Sequence, residues 1–110
     1  PVITVGEGVV ASMAAVILAC GDHRQVYRHT QVLIHQLMGG TGMAQQTDIE
    51  IAAQHTATMR AELDELLAEH GNLSAREFHE LTERDCWCNA KRALELGLVD
   101  EVIAPSKKAL

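Results

Sequence analysis

The chain has 110 residues, 47% of them apolar and only 3% aromatic, and a formal net charge of −6. That length holds one core rather than two, and with so few aromatics Ala, Leu, Val, Ile and Met must build it. The acidic balance, with no basic block, argues against a nucleic-acid or anionic-membrane surface, and the longest apolar run, residues 8–21, is too short to span a bilayer.

Residues 2–5 are a β-branched run closed by Gly6-Glu7-Gly8, where two glycines in three residues mark a sharp turn. The chain opens on this strand-like stretch without a methionine and reads as a piece whose upstream part is missing. A helix is predicted over 11–21, apolar on all faces and therefore buried, with Gly21-Asp22 ending it. Residues 25–28 and 31–35 are β-rich and predict two short strands separated by His29-Thr30. The glycines of 39–42 would let another backbone approach closely.

From about 45 to 70 the pattern predicts one long helix. Ala52, Thr56, Met59, Leu63 and Leu66 form a narrow stripe amid Glu62, Asp64, Glu65 and Glu69. Such a helix outruns the core of a small domain, so part of it should meet a partner chain. Ser74 with Glu77 is a capping-box pattern opening a helix to about 83. Asn89 caps a further helix that Gly97 ends, and 98–104 is a final strand before a polar tail. Strands alternating with helices give an α/β class.

Cys20, Cys86 and Cys88 are an odd set with no zinc-type spacing. Cys86 and Cys88 are too close for an easy bridge, so reduced thiols in a cytoplasmic protein are expected.

Ser12 stands alone at the mouth of the apolar helix. It can serve as a cap, as a small packing residue, or as a nucleophile. A nucleophile needs a base, an acid that orients the base, and N–H donors for the oxyanion. A helix N-terminus supplies such donors. His35 ends a β-rich run and Asp85 ends the helix opened at Ser74. Periodicity alone does not bring the three together: His35 also fits a satisfied strand-end histidine and Asp85 a helix-end carboxylate.

Four words narrow this choice. "GVVASMAA" (8–15), "VLIHQLMGG" (32–40), "QQTDIEI" (45–51) and "LTERDCWCNAKRALELGLVDEVI" (81–103) resemble, in order, motifs of the ClpP family, the proteolytic subunits of ATP-dependent Clp proteases. The resemblance implies a crotonase-like α/β spiral of ββα units with a protruding handle helix. Residues 1–110 would be the C-terminal portion of a single peptidase domain. By the same resemblance Ser12 is the nucleophile, His35 the general base, Asp85 the acid, and the Met13 amide one oxyanion donor. Met38, Gly39 and Gly40 would pair with substrate backbone, a mode in which main-chain bonds give affinity and side chains discriminate weakly. Asp48, Met59, Leu63 and Arg84 would meet other subunits, with Arg84 pairing with Asp48 or a nearby group across two stacked heptameric rings. Unfolded polypeptide would be delivered by an AAA+ ATPase. No metal or organic cofactor is implied, and this chain has no Walker-A pattern of its own.

Leu37 replaces the family's proline, Val9-Val10 replace Gln-Ala, Cys86-Trp87-Cys88 replace a basic-aromatic-aliphatic triplet, and the Ser-to-His interval is slightly short. No triad position is lost, which disfavours the alternative of a non-catalytic ring subunit. Another crotonase-fold acyl-transfer enzyme would rely on oxyanion amides and glutamates instead.

Overall fold

β1 (Ile3–Gly6), β2 (Val9–Ala11), α1 (Met13–Ala19), β3 (His23–Tyr27), β4 (Gln31–Ile34), α2 (Gln46–His70), α3 (Ala75–Leu81), β5 (Cys86–Cys88), α4 (Ala90–Glu95) and β6 (Glu101–Ile103) follow one another in a computed structural model that describes residues 1–104. The expected tail, residues 105–110, lies outside the described residues. The strands form two three-stranded sheets. One is all parallel in the order β1-β3-β6; the other runs β2-β4-β5, with β2 parallel and β5 antiparallel to β4.

Two of these strands differ from the sequence expectation. Val9-Val10-Ala11 forms β2 rather than a lead-in to the helix, because its β-branched residues find a ladder on β4. α1 accordingly begins at Met13. It is not buried all round: Ala15, Val16, Leu18 and Ala19 face the core, while Met13 and Ile17 are exposed. Likewise α3 stops at Leu81, and β5 follows where no strand was expected. Asp85 therefore stands in the link between them and not at a helix end.

The core gathers Phe78, Ile34, Leu96, Leu98, Val26 and Val32 between the sheets and the helices. Both predicted caps are present. Ser74 and Glu77 close a reciprocal capping box, and the Asn89 side chain accepts from the Arg92 amide. Gly97 takes φ 73°, and a Cβ there would lie 2.6 Å from Asn72, so the turn after α4 requires glycine.

α2 has 25 residues, about 38 Å of helix, within a molecule of 60 × 29 × 26 Å. Its two halves differ. Asp48, Ile49 and Ile51 are exposed, whereas Leu67 is buried and Leu63 and Leu66 pack against the core. The predicted stripe is thus covered by its own chain at the C-terminal end; of its other members Met59 is exposed, while Ala52 and Thr56 are half-buried.

A buried arginine ties the ends together. Arg24 on β3 donates through Nε and Nη2 to both oxygens of Asp100 (3.0 and 2.7 Å), and through Nη1 to the carbonyls of Ala19 and His70 (3.0 and 2.9 Å). The exits of α1 and α2 and the entry to β6 are held at one point. The Arg24 hydrogen bonds hold the Asp100 carboxyl down to about 2.

Candidate active site

Ser12 occupies the single residue between β2 and α1. Its φ is 60° and ψ −127°, the one left-handed non-glycine among the described residues. A side chain in that region is strained by about 1–3 kcal/mol and is retained where the surroundings over-determine it. Here the Ser12 amide donates to the Leu33 carbonyl, and its own carbonyl accepts from Ala15. The sharp strand-to-helix turn lifts the hydroxyl clear of the sheet, as in nucleophile elbows generally. Ser12 makes no capping hydrogen bond to the helix, so the cap reading does not hold.

The β2–β4 register pairs Ala11 with Leu33. Continued one step, it sets Ser12 abreast of Ile34 and one residue short of His35. Parallel strands thus deliver both side chains to the same edge of the sheet, the edge where α/β folds place their sites. The Ser12 hydroxyl and His35 Nε2 are in hydrogen-bond contact. His35 Nδ1 donates to the Gln36 carbonyl at 2.5 Å. That bond fixes the tautomer by its partner: Nδ1 carries the proton and Nε2 is left to accept from serine.

Asp85 is not on the imidazole. It makes no hydrogen bond among the described residues, although it lines one groove with His35, Met38, Gly39 and Arg84. The link before it is clipped to the residue after His35: the Gln36 amide donates to the Thr82 carbonyl (3.1 Å), and Gln36 Nε2 to that of Glu83 (2.8 Å). Yet β4 and β5 pair Ile34 with Cys86. One further step of that antiparallel ladder would set His35 directly across from Asp85, at the close spacing of cross-strand neighbours.

The Met13 amide opens α1 and is one of the N–H groups that a helix start leaves without an intrahelical partner. A pocket of about 250 Å³ lies beside Ser12, walled by Val16, Leu37, Met38, Leu63 and Leu67, with Arg60 and Asp64 as the charged groups in its lining. Asp64 is buried and accepts from His79 Nδ1 at 2.7 Å; Arg60 pairs with Glu83 at 3.2 Å. Neither had been singled out from the sequence, since each looks like part of a solvated helix face. Met38 is exposed, Gly39 and Gly40 border α2, and residues 35–40 form no strand of their own. Asp48 lies in the first turn of α2, and among the described residues the Arg84 side chain hydrogen-bonds the Glu83 carbonyl. No trio of metal-ligating side chains occurs among the described residues, nor is any described helix long and apolar enough to cross a membrane.

Residues 1–106 match the family described as Clp protease. The chain is 40% identical over 103 residues to an ATP-dependent Clp protease proteolytic subunit of Lactococcus lactis subsp. lactis (strain IL1403), covering 91% of this chain and 52% of that protein. It is 42% identical over 104 residues to a protein of that name from Streptococcus pneumoniae (strain Hungary19A-6), covering 92% and 53%. For one from Streptococcus sanguinis (strain SK36) the identity is 40% over 106 residues, covering 94% and 54%. The chain spans about half the length of the curated relatives it matches.

Proposed function

The chain belongs to the Clp protease family, and from that membership we propose that it is a serine endopeptidase subunit acting through Ser12, His35 and Asp85. The observation that carries this reading is the contact between the Ser12 hydroxyl and the unprotonated nitrogen of His35, on a turn strained to present it. In the reaction, Ser12 Oγ attacks the peptide carbonyl carbon while its proton passes to His35 Nε2. The Met13 N–H faces the developing oxyanion. The same Nε2 proton then goes to the departing amine, and water repeats the sequence on the acyl-serine. The pocket beside Ser12 receives a substrate side chain, and the Met38–Gly40 stretch pairs with substrate backbone.

Asp85 takes up its role when the subunit is assembled. The β4–β5 ladder lengthens by one pair, His35 exchanges the Gln36 carbonyl for the Asp85 carboxylate, and the imidazolium formed in each step is stabilised. The exposed half of α2 is then the handle helix. Arg84 and Asp48 pair with groups of an opposing ring, which fixes the backbone beside Asp85. The assembly is a two-ring barrel of heptamers with a crotonase-like spiral fold, working in the cytoplasm with an AAA+ unfoldase on polypeptide substrates.

A fluorophosphonate probe tests the reading. In the full-length protein it should modify Ser12, and Ser12→Ala should abolish the adduct. Modification at Ser74 or elsewhere, or none at all, would return the chain to the non-catalytic ring-subunit reading.

A further inference from the structure

The proposed peptidase chemistry makes no use of Cys86 and Cys88. They lie two residues apart on β5, so both side chains leave the same face of the strand, and their sulfurs stand 3.8 Å apart. Strand geometry sets their Cα atoms about 6.6 Å apart, close to the upper limit of about 6.8 Å that a disulfide spans. A bond between them can close, but only if the strand contracts. Cys86 is partly exposed and Cys88 is buried, so a reagent from solution meets Cys86 first and Cys88 sits behind it as the resolving thiol.

β5 is also the strand through which contraction would be felt. Cys86 pairs with Ile34 and Cys88 with Val32 on β4. Asp85 precedes the first cysteine, and the α4 cap Asn89 follows the second. We propose that Cys86 and Cys88 are an oxidation site, closed by a small-molecule disulfide of the glutathione class, and that closure shortens β5 and disrupts its ladder with β4. The ladder then cannot extend to set Asp85 across from His35. This last consequence rests on the function proposed above; the sulfur chemistry does not.

The exchange balances in two steps. The Cys86 thiolate attacks one sulfur of the small disulfide, forming a mixed disulfide and expelling one small thiolate. The Cys88 thiolate then attacks Cys86 Sγ, forming the protein disulfide and expelling the second. The two protons lost by the cysteines leave on the two small thiols. Burial, which persists once Cys86 is in the mixed disulfide, raises the Cys88 thiol above its ordinary value. The second step is therefore the slow one, and it quickens as pH rises.

Oxidised glutathione applied to the full-length protein, followed by alkylation and peptide mass analysis, reads the site directly. The peptide spanning 86–88 should lose two hydrogens and escape alkylation, faster at alkaline pH. Fluorophosphonate labelling of Ser12 should fall in step, and dithiothreitol should restore it. Cys88→Ser should stop at a single glutathionyl group on Cys86. Two thiols that remain alkylatable after prolonged oxidant would overturn the site. A closed disulfide with undiminished labelling would overturn its link to catalysis. A reduced protein that never labels defeats the function proposed above, while the mass change at 86–88 still decides the oxidation site.

Discussion

Arg24 and Ser12 sit at opposite ends of α1 and embody opposite uses of polar groups. Around Arg24 the hydrogen-bonding capacity is spent. A buried guanidinium meets one carboxylate with two prongs and two helix-end carbonyls with a third nitrogen. Around Ser12 it is held back. A non-glycine residue is kept at positive φ, the imidazole leans on the carbonyl of its own neighbour, and a carboxylate lies nearby without a partner among the described residues. Saturated polar networks rigidify a fold, whereas strained and partly satisfied ones are kept where something remains to be bound or moved. One end of α1 serves as an anchor; the other, in the function proposed above, serves as a mechanism.

The largest effect that can break this contrast is Asp85→Asn. If Asp85 orients His35 in the assembled protein, the rate at which Ser12 is phosphonylated should fall by about 10⁴-fold, because the amide cannot support the working tautomer and the imidazolium. Stopped-flow labelling with a fluorogenic fluorophosphonate measures it. An unchanged rate would mean that the Gln36 carbonyl suffices and Asp85 is idle.

Arg24→Met probes the other end. Breaking a buried ion pair leaves its partner uncompensated and costs about 3–5 kcal/mol. The lower end is expected here, because more than a third of the Asp100 side chain reaches water. Urea unfolding should show that loss, while the labelling rate per folded molecule stays near that of the parent. A loss of labelling out of proportion to the unfolded fraction would show that the two ends are coupled.

Acid offers a milder probe of the same anchor. The Asp100 carboxyl lies near 2 in the folded chain against an ordinary value of 3.8. A depressed folded-state value means that its contribution is complete above about 4 and is lost as pH falls toward 2. Thermal melts across that window should decline in the parent and decline less in Asp100→Asn, which starts lower. Parallel declines would place the acid sensitivity elsewhere.

Ser12→Gly gives the smallest expected shift and the sharpest sign. It removes the side chain that is strained at φ 60° and adds chain entropy to the unfolded state, for a net gain of up to about 1 kcal/mol. Labelling should vanish while Tm rises by a few degrees. A fall in Tm would say that the turn is relaxed and the contrast with Arg24 overstated.

Local chemistry made much of this legible in advance. The 45–70 helix, the Ser74 and Asn89 caps and the glycine stop at Gly97 each follow from residues within a few positions of one another, where propensity and capping act. Ser12 and His35 were legible as candidates through the words around them. β2 and β5 were not, since a three-residue strand has too little pattern to be seen before its partner on β4 is known. Arg60 and Asp64 were hidden for a related reason: on a long polar helix, only the packing of α3 reveals which charges are turned inward.

By itself, then, the sequence determined the long helix, the caps and the family, because these rest on short-range spacing and on contiguous motifs. Only the tertiary structure decided that Ser12 sits on a strained turn rather than serving as a cap, that parallel register brings it to His35, and that Gln36 rather than Asp85 holds the imidazole. Those outcomes depend on which strands pair and in what register, and a ladder between distant segments is set by the packing of the whole core.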